Sequence, residues 1–227
     1  MINLILENKI KNNKKNIFLD LDETLIDTSE RHYQVYCDIM NLLNLKDHLN
    51  KDEFWKLKRN GISTVELINE TDPYILQKFS KLWIENIEKK EYLLYDRPFR
   101  ETFDLLSELR KERLILVTMR NNREHLIWEL KNLGIYEYFE SILSCSPFKN
   151  KTKELPILAY IQDKKLFLDK NSIIVGDSEI DIITGKKLDI TVIAVSYGIR
   201  ARELLIHMNP DYCLNGIDEL LKTINMI

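Results

Sequence analysis

Short apolar runs alternate with helical periodicity along most of this chain. Ile17 to Leu19, Leu114 to Val117, Ile142 to Cys145, Ser172 to Val175 and Thr191 to Val195 are brief aliphatic stretches. Runs of that length, rich in β-branched residues, read as buried strands. Between and after them, apolar residues recur at steps of three and four. These predict helices over about Phe99 to Lys111, Asn122 to Leu133 (stopped at Gly134), Lys153 to Gln162, Glu179 to Leu188 and Ala201 to His207. A short strand around Tyr212 and a last helix from Ile217 complete the order. Alternation of this kind predicts an α/β fold with a doubly wound, mostly parallel sheet and right-handed crossovers.

One stretch departs from the alternation. Residues 28–95 show helical periodicity and no strand-type alternation. Tyr33, Tyr36, Met40 and Leu43 mark one helical face; Ser63-Thr64-Val65-Glu66 has capping-box form; Asp72 followed by Pro73 opens a helix expected to reach about Lys90. Ile75, Phe79, Leu82 and Ile87 are among its apolar positions. The expected organisation is therefore an α/β core from residues 1–27 and 96–227 with an all-helical insertion over 28–95.

Composition narrows the class. The 227 residues are 44% hydrophobic and 30% charged, with a net charge of -3. Those are the proportions of an ordinary soluble globule, and they argue against a general nucleic-acid binder. The Lys/Asn-rich stretch from Asn8 to Asn16 reads as a solvated lead into the first strand. Ile2 to Leu6 is too short for a signal segment, and no run approaches a membrane span. Cys37, Cys145 and Cys213 lie far apart, without the spacing of a zinc site or a disulfide framework. A reduced, cytoplasmic location is the expectation.

Chemistry enters where the strands end. Asp20 and Asp22 follow the first run, with Thr24 close behind; Thr118 follows Leu114 to Val117; Gly176-Asp177-Ser178 follows Ile173 to Val175, and Asp181 lies one helical turn beyond Asp177. Carboxyl ends of parallel strands share one edge, so these groups can converge on one crevice. Asp20, Asp22 and Asp177 have the hardness and charge for a magnesium site. Close carboxylates need such a cation or a shared proton. Asp20 is a candidate nucleophile of the aspartyl-phosphate type, and Asp22 a candidate acid and base. Thr118 and a lysine would hold the equatorial phosphoryl oxygens. Each segment alone is equally a turn or a helix cap; their agreement in order is the signal.

The chain resembles the haloacid dehalogenase superfamily of phosphohydrolases, within it the phosphoglycolate-phosphatase-like subgroup with a helical cap. The resemblance rests on Asp20-Leu21-Asp22-Glu23-Thr24, on Thr118 and on Gly176-Asp177-Ser178-Glu179-Ile180-Asp181. It continues through Thr184-Gly185-Lys186-Lys187, Val195-Ser196-Tyr197-Gly198 and Pro210-Asp211-Tyr212. It implies a HAD-like Rossmannoid core. It makes Asp20 the nucleophile and a magnesium ligand, Asp22 the acid/base and a ligand through its backbone carbonyl, and Asp177 a further ligand. Thr118 would bind phosphate and Asp181 would support the site from behind. The insertion falls where that family places a mobile cap. The acid at Asp22 separates phosphate-ester chemistry from dehalogenation.

The phosphate lysine is open among Lys149, Lys151 and Lys153. Lys153 is favoured, because Pro156, Ile157 and Tyr160 share its helical face. Arg120 either reaches the non-reacting end of a substrate or is an exposed loop arginine beside an Asn122 N-cap. Arg31, His32, Lys56 and Arg59 either grip an anionic substrate or are solvated, with solvation the favoured reading of each alone, and Trp55, Trp83 and Trp128 read as packing residues. The resulting expectation is a magnesium-dependent phosphatase of a small phosphorylated metabolite, monomeric or homodimeric, with no nucleic acid or membrane as partner. A sugar phosphomutase and a non-catalytic binding module are the alternatives.

Overall fold

The computed structural model describes residues 14–145 and 152–227. A six-stranded sheet forms the core, in the order β5-β4-β1-β6-β7-β8. Its strands are β1 (Asn16–Leu19), β4 (Arg113–Thr118), β5 (Ser141–Ser144), β6 (Ile173–Gly176), β7 (Thr191–Val195) and β8 (Tyr212–Leu214). Every pairing in it is parallel. Helices α5 (Thr102–Glu108), α6 (Arg123–Asn132), α7 (Glu154–Lys164), α8 (Glu179–Leu188), α9 (Arg202–His207) and α10 (Asp218–Met226) connect or follow the strands.

Alternation along the strands explains why both faces are covered. Ile17, Leu19, Leu114, Leu116, Ile173 and Val175 bury into one apolar cluster. Phe18, Ile115, Val117 and Ile174 point the other way into a second cluster. The sheet strands are apolar at consecutive positions because each face needs its own layer of side chains. Deleting a ring such as that of Phe18 would cost about 3 to 5 kcal/mol.

β1 lies at the centre, paired with β4 on one side and β6 on the other. In register, Leu19 stands opposite both Leu116 and Val175. The Asp20 N–H continues the ladder by donating to the Val175 carbonyl at 3.0 Å. The three motif-bearing strands therefore end at one level, and this alignment positions the site.

The helical segment contains α1 (Ser29–Leu42), α2 (Lys51–Arg59), α3 (Pro73–Asn86) and α4 (Lys90–Leu93), with a 3-10 turn at Thr64–Leu67. It has an apolar cluster of its own, built on Val35, Tyr36, Ile39, Met40, Phe54 and Phe79. Tyr33 and Leu43 pack at the edge of that cluster, so the buried stripe of α1 is shifted from the one expected. The Ser63–Glu66 capping box forms on the 3-10 turn. Asp72 caps α3 with Pro73 in its first turn. That helix ends at Asn86, short of Lys90, where the Asn86 side chain donates to the Leu82 carbonyl at 2.6 Å and competes with the backbone ladder. The chain leaves and re-enters the core through a small antiparallel pair, β2 (Ile26–Asp27) with β3 (Arg97–Pro98). These strands bracket the segment that showed no strand alternation. No helix among the described residues is long and apolar enough to cross a membrane.

Candidate active site

Asp20, Thr118 and Asp177 stand at the carboxyl ends of β1, β4 and β6, which are adjacent. Carboxylate oxygens of Asp20, Asp177 and Asp181 all lie within 4.8 Å of one another. Two glycines permit this crowding. A Cβ on Gly176 would sit 2.0 Å from the Asp181 Cγ, and one on Gly198 would sit 2.5 Å from both the Asp177 Cβ and the Glu23 carbonyl. Any larger residue at either place would displace an acid of the cluster.

Lys153 reaches into the cluster from the N-cap position of α7. Its Nζ is 2.5 Å from Asp20 Oδ1 and 2.7 Å from Asp181 Oδ1, and the side chain is fully buried. Burial opposes the ammonium charge, but Asp181 and Asp20 outweigh it and hold the pKa above the ordinary lysine range. Asp181 is braced on its other oxygen, which accepts from Ser178 N at 3.2 Å and Ser178 Oγ at 2.6 Å. Asp181 thus orients Lys153 as part of the capping box that opens α8. Lys149 and Lys151 lie outside the described residues.

One lysine does not balance three buried carboxylates. Burial pushes the Asp20 carboxyl up to about 7; Lys153 pulls it down, while Asp181 and Asp22 push it up. Asp177 is held well above the usual range by burial, then by Asp20 and Asp181, although it accepts from Ile199 N at 2.6 Å. Hard oxygen donors with excess negative charge at the end of a crevice fit a small divalent cation. Asp20, Asp177 and Asp181 stand close enough to share one, although both Asp181 oxygens are already engaged, by Lys153 and by Ser178.

Asp22 points elsewhere. Its Oδ1 accepts from Arg31 Nη2 and Arg120 Nη2, both at 2.7 Å, and its Oδ2 accepts from Arg120 Nε at 2.7 Å. Burial works against the charge on Asp22, yet Arg120 and then Arg31 hold its carboxyl well below the usual carboxylate range. Behind the arginines, Asp96 contacts each at 3.3 Å, and Glu129 approaches Arg120 at 3.2 Å. Burial and the neighbouring Glu129 raise Asp96 against the pull of Arg31, up to about 9, so one proton stays within the group at neutral pH.

Several surface expectations are thereby corrected. Arg120 is 5% exposed and Arg31 1% exposed; neither is a solvated loop or helix arginine. Both are drawn inward because Asp22, Asp96 and Glu129 supply buried partners. Arg59 is also engaged, donating to the carbonyls of Ser196, Tyr197 and Gly198. His32 stands edge-on to Trp55 and Trp83, at 5.9 and 5.7 Å between ring centroids. Lys56 is exposed, as expected. Asn122 does cap α6, accepting from His125 N at 3.0 Å. Trp55 and Trp83 pack against the helical cluster, and Trp128 lies beneath Lys90.

Thr118 is buried, and its Oγ1 accepts from Arg120 N at a long 3.4 Å. Asp96 and Glu129 went unnoticed in the sequence because they sit in no motif; Glu23 lies inside the first motif, where the sequence gives it no role. Glu23 adopts a left-handed backbone (φ 56°) in the turn after Asp22. Its buried carboxylate accepts from Thr28 N at 2.7 Å and Thr28 Oγ1 at 2.8 Å, tying the motif to the base of the helical segment. Only the left-handed turn leaves a hint, and glutamate is an uncommon residue to carry it.

Comparison with known proteins agrees with this geometry. A family model described as haloacid dehalogenase-like hydrolase matches residues 17–195. Pyrophosphatase PpaX of Oceanobacillus iheyensis is 23% identical over 208 residues, covering 91% of this chain and 95% of that protein. Phosphoglycolate phosphatase of Vibrio cholerae is 22% identical over 219 residues, covering 92% and 96%. A haloacid dehalogenase-like family hydrolase from Streptococcus pneumoniae superposes with a TM-score of 0.74 at 20% identity, covering 92% of this chain and 98% of the other.

Proposed function

The chain belongs to the haloacid dehalogenase-like hydrolases, and on that premise we propose that it is a magnesium-dependent phosphatase of small phosphorylated metabolites. The observation that carries the reading is the joint placement of Asp20, Asp177, Asp181 and Lys153. Three carboxylates converge within 4.8 Å, and the lysine touches two of them. Relatives named pyrophosphatase and phosphoglycolate phosphatase support phosphoryl chemistry.

In this reading Asp20 attacks phosphorus in line, forming an acyl phosphate on its own carboxylate. Lys153 and Thr118 hold the phosphoryl oxygens, and Asp181 keeps Lys153 in place. Asp20 and Asp177, with the Asp22 backbone carbonyl, are the ligands assigned to magnesium. The bound metal would neutralise charge that builds on the transferring group. Asp22 serves the proton transfers. Its arginines hold it ionised and occupy both its oxygens, so it takes a proton from the attacking water in the second half-reaction only after turning from them. To protonate a departing oxygen in the first half, it must turn away from them.

Residues 28–95 act as a mobile cap over the core in this proposal. Arg59 grips the loop after β7, while Glu88 accepts from Asn121 N at 2.8 Å and Asn122 N at 2.6 Å. Both contacts join the segment to the core near the site. The enzyme is taken to act in the cytoplasm on a small molecule.

A phosphate-release screen over a metabolite panel with magnesium tests the reading. Activity on at least one compound is expected, and Asp20→Asn should keep its fold and lose at least about a thousandfold in rate. Near-normal turnover by that variant would remove Asp20 as the nucleophile.

A further inference from the structure

Two arginines from distant parts of the chain end on one carboxylate. Arg31 comes from α1 in the helical segment, and Arg120 from the loop after β4, 98 residues from Asp22. Each is almost wholly buried. Together they occupy both oxygens of Asp22, Arg120 through a two-pronged contact. A cavity of about 330 Å³ opens beside them, lined by Asp22, Arg31, His32, Trp83, Ile87 and Arg120 among others. Asp22 is the most exposed member of the network, its side chain 28% accessible.

The phosphatase reading asks Asp22 to turn toward a departing oxygen. That movement breaks three hydrogen bonds and leaves two buried guanidinium groups facing the cavity. Buried charges that lose their best hydrogen-bonded partner are disfavoured. Asp96 cannot replace Asp22, because it lies behind the arginines and already contacts both. Glu129 reaches only Arg120. Glu88 also lines the cavity, but its two oxygens are taken by backbone N–H groups of Asn121 and Asn122. A planar or tetrahedral anion brought by the substrate would restore the lost partner.

We propose that Arg31 and Arg120 form the subsite that reads the leaving group, selecting phosphate compounds whose departing half carries its own carboxylate or phosphoryl anion. Asp22 occupies that subsite until substrate arrives, and the incoming anion displaces it toward the reacting centre. This rests on the phosphatase reading and adds the substrate class to it. The fork geometry of arginine favours oxyanions with two oxygens in a plane. Trp83, Ile84 and Ile87 give the cavity an apolar wall beside the two arginines.

The test compares substrates matched except for that charge. Steady-state kinetics on the full-length enzyme with magnesium would use phosphoglycolate and 2-hydroxyethyl phosphate, with inorganic pyrophosphate as a further arm. The expected kcat/KM for phosphoglycolate or pyrophosphate exceeds that for the neutral ester by about a hundredfold or more, as in sites built around a polar group of the substrate. Faster turnover of phosphoglycolate assigns a carboxylate; faster turnover of pyrophosphate assigns a phosphoryl anion. In Arg31→Gln the ratio of charged to neutral substrate should fall to within about tenfold, and Arg31→Lys should lie between. A general loss of structure lowers both rates together and leaves the ratio alone. A melting curve identifies a variant that has failed to fold, and the wild-type comparison needs no variant. Equal kcat/KM for charged and neutral esters in an active wild-type enzyme would overturn the inference while sparing the phosphatase reading. So would an unchanged ratio in folded Arg31→Gln. Release of no phosphate from any compound would overturn both.

Discussion

Lys153 Nζ lies 2.5 Å from Asp20 Oδ1 at the end of the central strand, the lysine fully buried and the aspartate side chain 11% accessible. The contact makes the proposed nucleophile and the proposed phosphate-binding lysine interdependent. Lys153→Met removes the positive charge while keeping most of the volume. Two buried carboxylates, Asp20 and Asp181, then lose their partner, which should cost about 3 to 5 kcal/mol of folding stability in magnesium-free buffer. Added magnesium should recover part of that loss. Turnover of a good substrate should drop at least about a hundredfold, the usual effect of deleting one group that holds developing charge. Urea unfolding with and without magnesium reads the first effect. An identical deficit in both buffers would contradict the electrostatic account.

Asp177 stands in one cluster with Asp20 and Asp181. Burial, Asp20 and Asp181 all favour its protonated form. Magnesium binding to the folded chain should therefore raise the melting temperature in a concentration-dependent way, by mass action. Asp177→Asn relieves the repulsion and deletes a proposed ligand. Its melting temperature without metal should equal or exceed that of the wild type, and the magnesium-dependent rise should vanish. A magnesium response of the same size in the variant would place the cation elsewhere.

The Asp96 proton gives a pH signature. The folded-state pKa of about 9 lies far above the 3.8 of a free aspartate side chain. Between roughly pH 4 and 9 the folded chain keeps a proton that the unfolded chain has released, so folding stability falls as pH rises through that window. Asp96→Asn carries no such proton. The stability difference, variant minus wild type, should climb with pH from about 4 to 9 and level off above. Urea unfolding at several pH values measures it. A flat difference would show that Asp96 ionises normally in the folded protein.

Much of this arrangement is legible in the residue pattern, and the remainder has a physical reason for being hidden. Helix Glu179–Leu188 and strand Thr191–Val195 have the predicted limits, because capping and burial agree there with local propensity. Asp20, Thr118 and Asp177 were placed together from strand ends alone, since parallel register leaves few other places for them. The helical face of Pro156, Ile157 and Tyr160 singles out Lys153 among three lysines, and the structure puts it on Asp20 and Asp181. The Arg31–Asp22–Arg120 network was invisible. An arginine on a helix reads as solvated until its partners are known; Arg31 meets Asp22 and the distant Asp96, and Arg120 meets Asp22, Asp96 and Glu129. Tertiary charge pairing has no period, so a one-dimensional pattern does not reveal it.

Arg59 offers a way to loosen the helical segment without touching the acids. Its guanidinium donates to three successive carbonyls, those of Ser196, Tyr197 and Gly198, next to the loop that positions Asp177. Its own carbonyl accepts from Ala201 N at 2.8 Å. Hydrogen bonds from a charged donor contribute about 1.5 to 3 kcal/mol each at most, and partial exposure of this side chain lowers the sum. Arg59→Ala should thus favour undocking of α2 from the core by about 1 to 3 kcal/mol. Amide hydrogen exchange at Ala201 should quicken by roughly tenfold or more, whereas that of Leu19 in the central strand should stay slow. If docking limits substrate access, kcat and KM should both rise; if docking completes the site, kcat should fall as KM rises. Unaltered exchange at Ala201 would show that Arg59 does not hold the segment to the core.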